Sequence, residues 1–197
     1  MITPQVEERL NDLLDPVRDQ SVGALLQALA GELDSGAEVT PEPVERDAEG
    51  RVSRHGVLSL PRRADLVVTR EGRSLIRRVA DPATPQFEPL CLVAEGGFTT
   101  TISPFCWEEV DLFVECRRTP PDWTPLRRWY LEWFQSRFGD LAPDLEGAVH
   151  ALTGPAETQG GFRLVVDFGS APVAAFTAML SAMEETGALR LRVGREV

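Results

Sequence analysis

The stretch FRLVVDFGSAPVAAFTAMLSAMEETGALRLRV, residues 162–193, has the clearest secondary-structure pattern in the chain. Apolar residues recur at every second position at its two ends and at helical spacing in its middle, and Gly187 ends the helical part. The inward residues are Phe162, Leu164, Val166 and Phe168, then Val173, Phe176, Leu180 and Met183, then Leu189, Leu191 and Val193. This pattern predicts a strand-helix-strand unit, with a right-handed parallel crossover if both strands share one sheet.

A series of short β-prone segments precedes this unit. The predicted strands cover residues 57–60, 65–70, 73–79, 87–94, 98–103 and 110–117. Glu71 and Gly72 form a two-residue hairpin turn between the second and third of these strands. Pro89 places the fourth at an edge or a bulge, and Gly96 and Gly97 turn the chain after it. Together these segments predict an antiparallel β-meander of five or six strands.

The N-terminal segment, residues 1–34, shows helical spacing in two sets of apolar residues, with Thr3 and Pro4 as cap and first turn. Pro16 lies between the sets, so we predict a helical pair with a break at the proline. Residues 35–50, SGAEVTPEPVERDAEG, are acidic and have no apolar periodicity, which predicts a flexible loop. We expect a single α+β domain over residues 1–197, with the sheet and the remaining helices in residues 51–197.

Charge and residue usage exclude several functions. All 20 basic residues are arginine, so Schiff-base chemistry and a P-loop lysine are excluded. The net charge is −11, and residues 1–50 contribute most of it, with twelve acids against three arginines giving −9. Such acidity disfavours nucleic acid and anionic membranes and favours a protein partner of basic character.

The cysteine count and the N-terminus suggest a compartment. An odd number of cysteines, Cys91, Cys106 and Cys116, leaves at least one free, which suits a reducing environment. No segment has the pattern of a signal peptide or a membrane span. We therefore expect a cytoplasmic protein.

One predicted strand carries acids on a single face. Glu109, Asp111 and Glu115 share that face with Phe113, and the opposite face is apolar. Three carboxylates so arranged could bind a hard cation or supply an acid–base pair. A solvated sheet face is the favoured interpretation, because no histidine or carbonyl-rich shell lies nearby in the sequence.

An aromatic-rich helix is predicted from Asp122, as its cap, to about Phe138, with Gly139 after it. Most of its aromatic residues are expected in the core. Trp123 and one of Trp129 or Tyr130 are expected to stay exposed beside Arg127, as at many interface centres. The predicted partner interface therefore comprises Trp123, Arg127, Trp129, Tyr130, Glu109 and Asp111.

The remaining residues that could support chemistry form no recognisable set. His55 falls in a polar loop, and His150 falls in a short helix predicted over Asp144–Leu152. Ser170 after Gly169 is interpreted as a helix cap rather than an anion site. No cysteine or histidine spacing matches a metal module, so we expect no catalytic residue, no metal and no cofactor.

Three functional hypotheses follow. The first is a non-catalytic protein-binding module, in its most concrete form a bacterial immunity or antitoxin-type inhibitor of a basic partner. The second is an enzyme or small-molecule binder with an unfamiliar site between the meander and the aromatic helix, using Glu109, Asp111 or Cys106. The third is a homo-oligomeric structural subunit that pairs through the edge strand at residues 57–60.

Overall fold

The computed structural model describes residues 3–79, 84–116, 121–135 and 144–194, and within them the fold is α+β, as the sequence predicts. The helices are α1 (Pro4–Asp34), α2 (Thr124–Gln135) and α3 (Val173–Glu185). The strands are β1 (Glu38–Pro41), β2 (Leu66–Arg70), β3 (Arg73–Arg77), β4 (Leu90–Val93), β5 (Thr99–Ile102), β6 (Val110–Cys116), β7 (Ala151–Thr158), β8 (Gly161–Asp167) and β9 (Ala188–Val193).

The larger of two sheets is mixed and has six strands in the order β4-β5-β9-β6-β8-β7. Its neighbouring strands are antiparallel except for β5 and β9. Strands β8 and β9 both run antiparallel to β6, which lies between them, so they are parallel to each other. The predicted strand-helix-strand unit at the C-terminus is therefore confirmed.

The predicted meander is divided between the two sheets. The β2–β3 hairpin with its turn at Glu71 and Gly72 is confirmed, but it pairs with β1 in a separate three-stranded antiparallel sheet. In the larger sheet, β9 lies between β5 and β6. Alternation in a sequence shows which residues share a face, and it does not show which strands are neighbours.

Helix α1 is one continuous helix of 31 residues, so the predicted helical pair is wrong. Thr3 caps it as predicted, and Pro16 lies inside it on the exposed side. The two apolar sets belong to different cores. The N-terminal half buries Leu10, Leu14 and Val17 in the main core, where α1 packs against α3, and the C-terminal half buries Val22, Leu25 and Leu29 against the three-stranded sheet.

Three further segments differ from their predictions. Residues 57–60 form a turn closed by a bridge between His55 and Leu60, because Ser59 adopts a positive φ. Residues 35–50, predicted as a flexible loop, include β1 and the fully buried Glu42. The segment predicted as a helix over Asp144–Leu152 is instead irregular up to His150, with a positive φ at Gly147, and then enters β7.

The aromatic-rich helix is present as α2. The amide of Thr124 donates a 2.9 Å hydrogen bond to the carboxylate of Asp122, which caps the helix start as predicted. The predicted end at Phe138 and Gly139 lies outside the described residues. Among the described residues, no helix is long and apolar enough to cross a membrane.

The main core lies between the six-stranded sheet and the helices. Its centre is aromatic, with Trp107, Phe168 and Phe176 fully buried and in mutual contact. Trp129 of α2 joins this cluster through Phe168. The aromatic residues of the sequence therefore serve mainly to pack the helices onto the sheet.

Candidate functional site

Two aromatic residues of the predicted partner interface on α2 are buried in the core. Trp129 is 4% exposed and Tyr130 is 0% exposed, so the expectation that one of them stays on the surface is wrong. The indole of Trp129 donates a 2.9 Å hydrogen bond to the carbonyl of Ala175 in α3. The helix packs against α3 as well as the sheet, and this second contact accounts for the wide apolar stripe.

Trp123 and Arg127 remain as the surface part of that prediction. Trp123 is half-buried and packs edge-on against Phe162, with 5.4 Å between ring centroids. Arg127 is exposed. Because Trp123 already has a ring partner within the chain, it offers only part of its surface to another molecule.

The acidic face of β6 is solvated and compensated by arginines of neighbouring strands. Asp111 accepts a 2.7 Å hydrogen bond from Arg163, and Glu115 lies 3.4 Å from Arg190. Arg192 lies over the ring of Phe113, 4.3 Å from its centroid. The alternation predicted for this strand is confirmed. Since arginines already neutralise these acids, the favoured solvated face describes them better than a cation site.

A buried polar cluster lies elsewhere, between the two sheets. We call it the His150 cluster, and it consists of Glu42, Asp65, His150, Asp167 and Ser170. Glu42 follows β1, Asp65 precedes β2, His150 precedes β7, Asp167 ends β8, and Ser170 precedes α3. Five distant positions of the chain thus converge on one imidazole.

Both nitrogens of the His150 ring face carboxylates. Nε2 lies 2.6 Å from Oε1 of Glu42, and Nδ1 lies 3.1 Å from Oδ1 of Asp65 and 3.9 Å from Oδ1 of Asp167. The His150 and Glu42 side chains are 0% exposed, whereas that of Asp167 is 27% exposed. The cluster therefore has a closed end at Glu42 and an open end at Asp167.

Glu42 is held by several donors at the closed end. Its Oε1 accepts a 2.5 Å hydrogen bond from the hydroxyl of Ser170, and its Oε2 accepts a short hydrogen bond from the amide of Glu146. Burial alone would raise the pKa of Glu42, but the hydrogen bond and charge of His150 and these donors hold it below its ordinary value. Glu42 is therefore ionised in the fold.

The pKa values of the other members are displaced in the opposite direction. Burial would lower the pKa of His150, but the charge of Asp167 and the hydrogen bonds with Asp65 and Glu42 raise it to about 10. Burial raises the pKa of Asp167 to about 6, against the charge of His150. Near neutral pH the ring is thus an imidazolium, and Asp167 takes up a proton as the pH falls toward 6.

Ser170 does not have the capping role that the sequence predicts. Helix α3 begins at Val173, and its N-cap is Pro172, without a side-chain hydrogen bond. Ser170 is 1% exposed, and its hydroxyl bridges Glu42 to the amide of Gly147 at 2.9 Å. The residue interpreted as a helix cap instead supports the closed end of the cluster.

A cleft of about 410 Å³ opens at the other end of the cluster. Its lining residues are Glu45, Arg62, Arg63, Ala64, Asp65, Arg78, Val79, Glu108, Glu109, Ala151, Thr153, Val165 and Asp167. Arg63 is engaged in structure, since it donates to the carbonyls of Glu42 and Phe134. Arg62 donates to Thr153 at 3.0 Å, but its buried Nε has no hydrogen-bond partner among the described residues.

Sequence reasoning found one member of the cleft, Glu109, and missed the cluster. Cys106, which the second hypothesis also named, is half-buried with its sulfur 3.2 Å from the hydroxyl of Thr84, and it lines a separate cavity with Glu109 and Asp111. Two weak signals pointed to the cluster. His150 lies within the apolar run Ala148–Leu152, and Glu42 lies between two prolines that restrict its backbone.

The fold and the cluster together define the class of protein: an α+β protein in which a buried histidine, flanked by three carboxylates, lies behind a charged cleft. The chain matches no protein-family model, no curated protein and no solved structure. Its function therefore has to be inferred from the geometry of the cluster and the cleft.

Proposed function

We propose that this protein binds a small polar molecule with an anionic group in the cleft beside the His150 cluster. The observation that carries the proposal is the pairing of two kinds of charge in one cavity. Asp65 and Asp167 reach it from the cluster, and Arg62 and Arg78 line it. Cavities with few, well-placed polar groups and displaced pKa values are typical of ligand sites.

The arginines supply the recognition of the anionic group. Guanidinium groups bind carboxylate and phosphate in a planar, two-point arrangement. Arg62 fits this role because its Nε is buried and unpaired among the described residues, while its Nη2 is fixed by Thr153. Because this Nε is buried, the Arg62 side chain would have to turn toward the cleft to donate to a ligand oxygen, and that hydrogen bond would satisfy a donor that otherwise costs free energy to bury.

Asp167 gives the cleft a group that can exchange protons. A carboxyl with a pKa of about 6 changes its charge near neutral pH, and proton transfer is most efficient with such a group. This supports the second of the three hypotheses, an enzyme or a small-molecule binder. The cleft lies between the two sheets, whereas that hypothesis placed the site between the meander and the aromatic helix. Of the three residues that it named, Glu109 lines this cleft.

The test is a thermal-shift and calorimetric screen with defined anions: inorganic phosphate, citrate, succinate, glutamate and nucleoside monophosphates. We expect at least one to bind wild-type protein, and Arg62→Ala to weaken it about 10-fold or more, the loss of one charge-assisted hydrogen bond. Arg73→Ala is the matched control, because Arg73 is exposed on β3 and does not line the cleft. Equal affinities for the two variants, or no binding by any anion, would overturn the proposal.

A second candidate function is the non-catalytic binding of a basic partner, favoured by an acidic stripe on α1. Glu8, Asp12, Asp15 and Asp19 are all exposed on this helix. Their spacing of four, three and four residues places them on one face, over about 16 Å of helix. Within the described residues, no ion pair compensates Glu8, Asp12 or Asp15.

In its most concrete form this candidate is an immunity or antitoxin-type inhibitor in a bacterial cytoplasm, with Trp123 and Arg127 as an additional contact. Electrostatic steering by the stripe would speed association and would weaken with salt. We expect wild-type protein to capture a basic partner whose binding weakens as salt is raised. The double variant Asp12→Asn/Asp15→Asn should lose this partner, and Glu157→Gln, a change in an exposed acid on β7, should keep it. If both variants captured the partner equally, the acidic stripe on α1 would not be its binding surface.

Self-association through residues 57–60, the third hypothesis, loses its edge strand because those residues form a turn. Strand β3 is a better candidate edge. It has β2 on one side, and all five of its residues are exposed, including Leu75 at 72% and Ile76 at 62%. Light scattering of wild type and Leu75→Lys would test a dimer through this strand. A monomeric wild type at high concentration would exclude it.

A further inference from the structure

We propose that Asp65, His150 and Asp167 bind a first-row divalent transition-metal ion at the inner end of the cleft. The inference deepens the proposed ligand site and rests on the cleft being that site, because the ion would meet the bound molecule there. It adds a cation to a site for which the sequence predicted none.

The three donor atoms are close enough to share one ion. Nδ1 of His150 and one carboxylate oxygen from each aspartate all lie within 4.8 Å of one another. Nδ1 is 3.1 Å from Asp65 and 3.9 Å from Asp167. Ligands placed 2.0–2.2 Å from one metal are about 3 to 4 Å apart from each other, so little movement is needed.

Glu42 provides the outer support that a metal-bound histidine requires. Its Oε1 lies 2.6 Å from Nε2, so Nε2 would keep its proton and donate it to Glu42 while the metal ion displaces the proton of Nδ1, whose lone pair would then point toward the two aspartates. Ser170 and the amide of Glu146 hold Glu42 in turn. A carboxylate behind a ligating histidine is the usual arrangement in metal sites.

Charge balance also favours a cation. Three carboxylates surround one imidazole, so a single proton on the ring compensates one of three negative charges. Arg63 lies near, but its guanidinium is engaged with backbone carbonyls and the ring of Phe134. Arg78 acts on Asp167 from the open cleft and leaves Glu42 and Asp65 to the ring. Buried charge without compensation is costly, and a divalent ion in place of the ring proton would reduce the excess.

The donor set indicates the class of metal. One imidazole nitrogen and two carboxylate oxygens suit zinc, manganese or iron(II), whereas calcium and magnesium prefer oxygen ligands alone. Asp65 and Asp167 also line the cleft, so coordination positions opposite His150 face it. An anionic ligand held by Arg62 could occupy one of them.

The experiment is calorimetry and metal analysis on the full chain after treatment with EDTA, titrated separately with Zn²⁺, Mn²⁺, Mg²⁺ and Ca²⁺. We expect one equivalent of Zn²⁺ or Mn²⁺ per chain, weaker Mg²⁺ and Ca²⁺, and an affinity reduced at least 100-fold in Asp167→Asn. Glu157→Gln is the control, since Glu157 is an exposed acid on β7 that does not line the cleft. Circular dichroism of each variant verifies folding.

The absorption spectrum of Co²⁺ gives a second readout that reports nitrogen and oxygen ligation directly. We expect its visible bands in wild type and in Glu157→Gln, and their loss in Asp65→Asn. Glu42→Gln, a change in a positioning residue, should keep the bands and weaken affinity 10- to 100-fold. No stoichiometric binding of any of these ions, or equal binding by wild type and Asp167→Asn, would overturn the inference.

The anion screen separates this inference from the proposed function. If anions bind to the EDTA-treated protein through Arg62 and no metal binds, the proposed function holds and the metal site is refuted. If metal binds through Asp167 but no anion binds, with or without metal, the proposed function fails and the metal site stands alone.

Discussion

Gly169 is the residue on which the position of His150 depends most directly. Its φ is +52°, and a Cβ at this residue would lie 2.2 Å from Cδ2 of His150. We expect Gly169→Ala to displace the ring from Glu42 and Asp65, with a loss of about 3 kcal/mol or more in the free energy of unfolding. Urea denaturation measures this loss.

Gly23 provides the control for this substitution. It lies in α1, and a Cβ there would meet nothing within 4 Å. We expect Gly23→Ala to raise the free energy of unfolding by about 0.5–1 kcal/mol, because glycine is entropically unfavourable in a helix. If Gly169→Ala were as stable as wild type, the ring would have room that the structure does not show.

Tyr130 is the single tyrosine of the chain, so its titration can be followed without interference from another phenol. Burial and the charge of Asp167 raise its pKa far above its ordinary value of 10.0. The folded state therefore keeps its proton while the unfolded state releases it, and the free energy of unfolding falls as pH rises above 10.

We expect tyrosinate absorbance at 295 nm to appear only together with the loss of near-ultraviolet circular dichroism. The phenol donates a 2.6 Å hydrogen bond to the carbonyl of Pro61, so Tyr130→Phe should lower the free energy of unfolding by about 1 kcal/mol. The variant has no phenol to ionise, so it should lack the part of the alkaline loss of stability that Tyr130 causes. Ionisation of Tyr130 in protein that is still folded would contradict the burial described above.

At the scale of elements, α1 shows how one pattern can have two explanations. Two helices with a break near Pro16 would show a change in the apolar face there. One helix that passes from one core to another would show the same change. The second is what the structure has. Sequence alone could not decide, because the second core requires the three-stranded sheet to be placed beside the helix.

We expect Pro16→Ala to stabilise the protein. Proline in a helix interior lacks the amide hydrogen bond and costs about 3 kcal/mol, of which the smaller conformational entropy of the unfolded chain recovers up to about 1 kcal/mol. Pro16 is exposed, so the alanine loses no core contact. A net gain of about 1–3 kcal/mol in chemical denaturation is therefore expected. No change, or a loss, would indicate a break at this position.

Elements whose contacts are local were predictable. The hairpin β2–β3, strand β6 and the unit from β8 to β9 each carry a complete alternating or helical pattern, and the structure confirms them. Strand β1 was missed because it has only four residues and is stabilised by pairing with β2, in which Glu38 lies opposite Thr69 and Pro41 lies opposite Leu66. Its stability comes from that distant partner and not from its own residues.

In the described residues, the two sheets are joined by α1, which packs into both cores, and by the His150 cluster. The small sheet contributes Glu42 and Asp65 from the ends of β1 and β2, and the large sheet contributes His150 and Asp167. The backbone adds a hydrogen bond of 3.0 Å from the amide of Arg63 to the carbonyl of His150. Within the cluster, His150 pairs with Asp65, which is 85 positions away in the chain, and with Glu42, which is 108 positions away. No local sequence pattern could therefore predict it.

We expect Glu42→Ala to weaken this connection more than it weakens either sheet. Removing one partner of a buried ion pair leaves the other uncompensated and costs about 3–5 kcal/mol. In metal-free protein, hydrogen exchange should accelerate most in β1, β2 and β3, because the variant loses contacts that hold the three-stranded sheet to the six-stranded sheet. Strands β6 and β8 should stay protected, because each is paired on both sides within the six-stranded sheet.

Glu38→Ala is the control, since Glu38 is exposed on the same β1 strand. It should leave exchange unchanged in both sheets. Equal acceleration in both sheets by Glu42→Ala would mean that they unfold as one cooperative unit and that the cluster stabilises the whole fold. No acceleration would mean that the small core around Leu25 and Leu66 holds the three-stranded sheet by itself. The cluster would then owe its arrangement to ligand or metal binding rather than to joining the sheets.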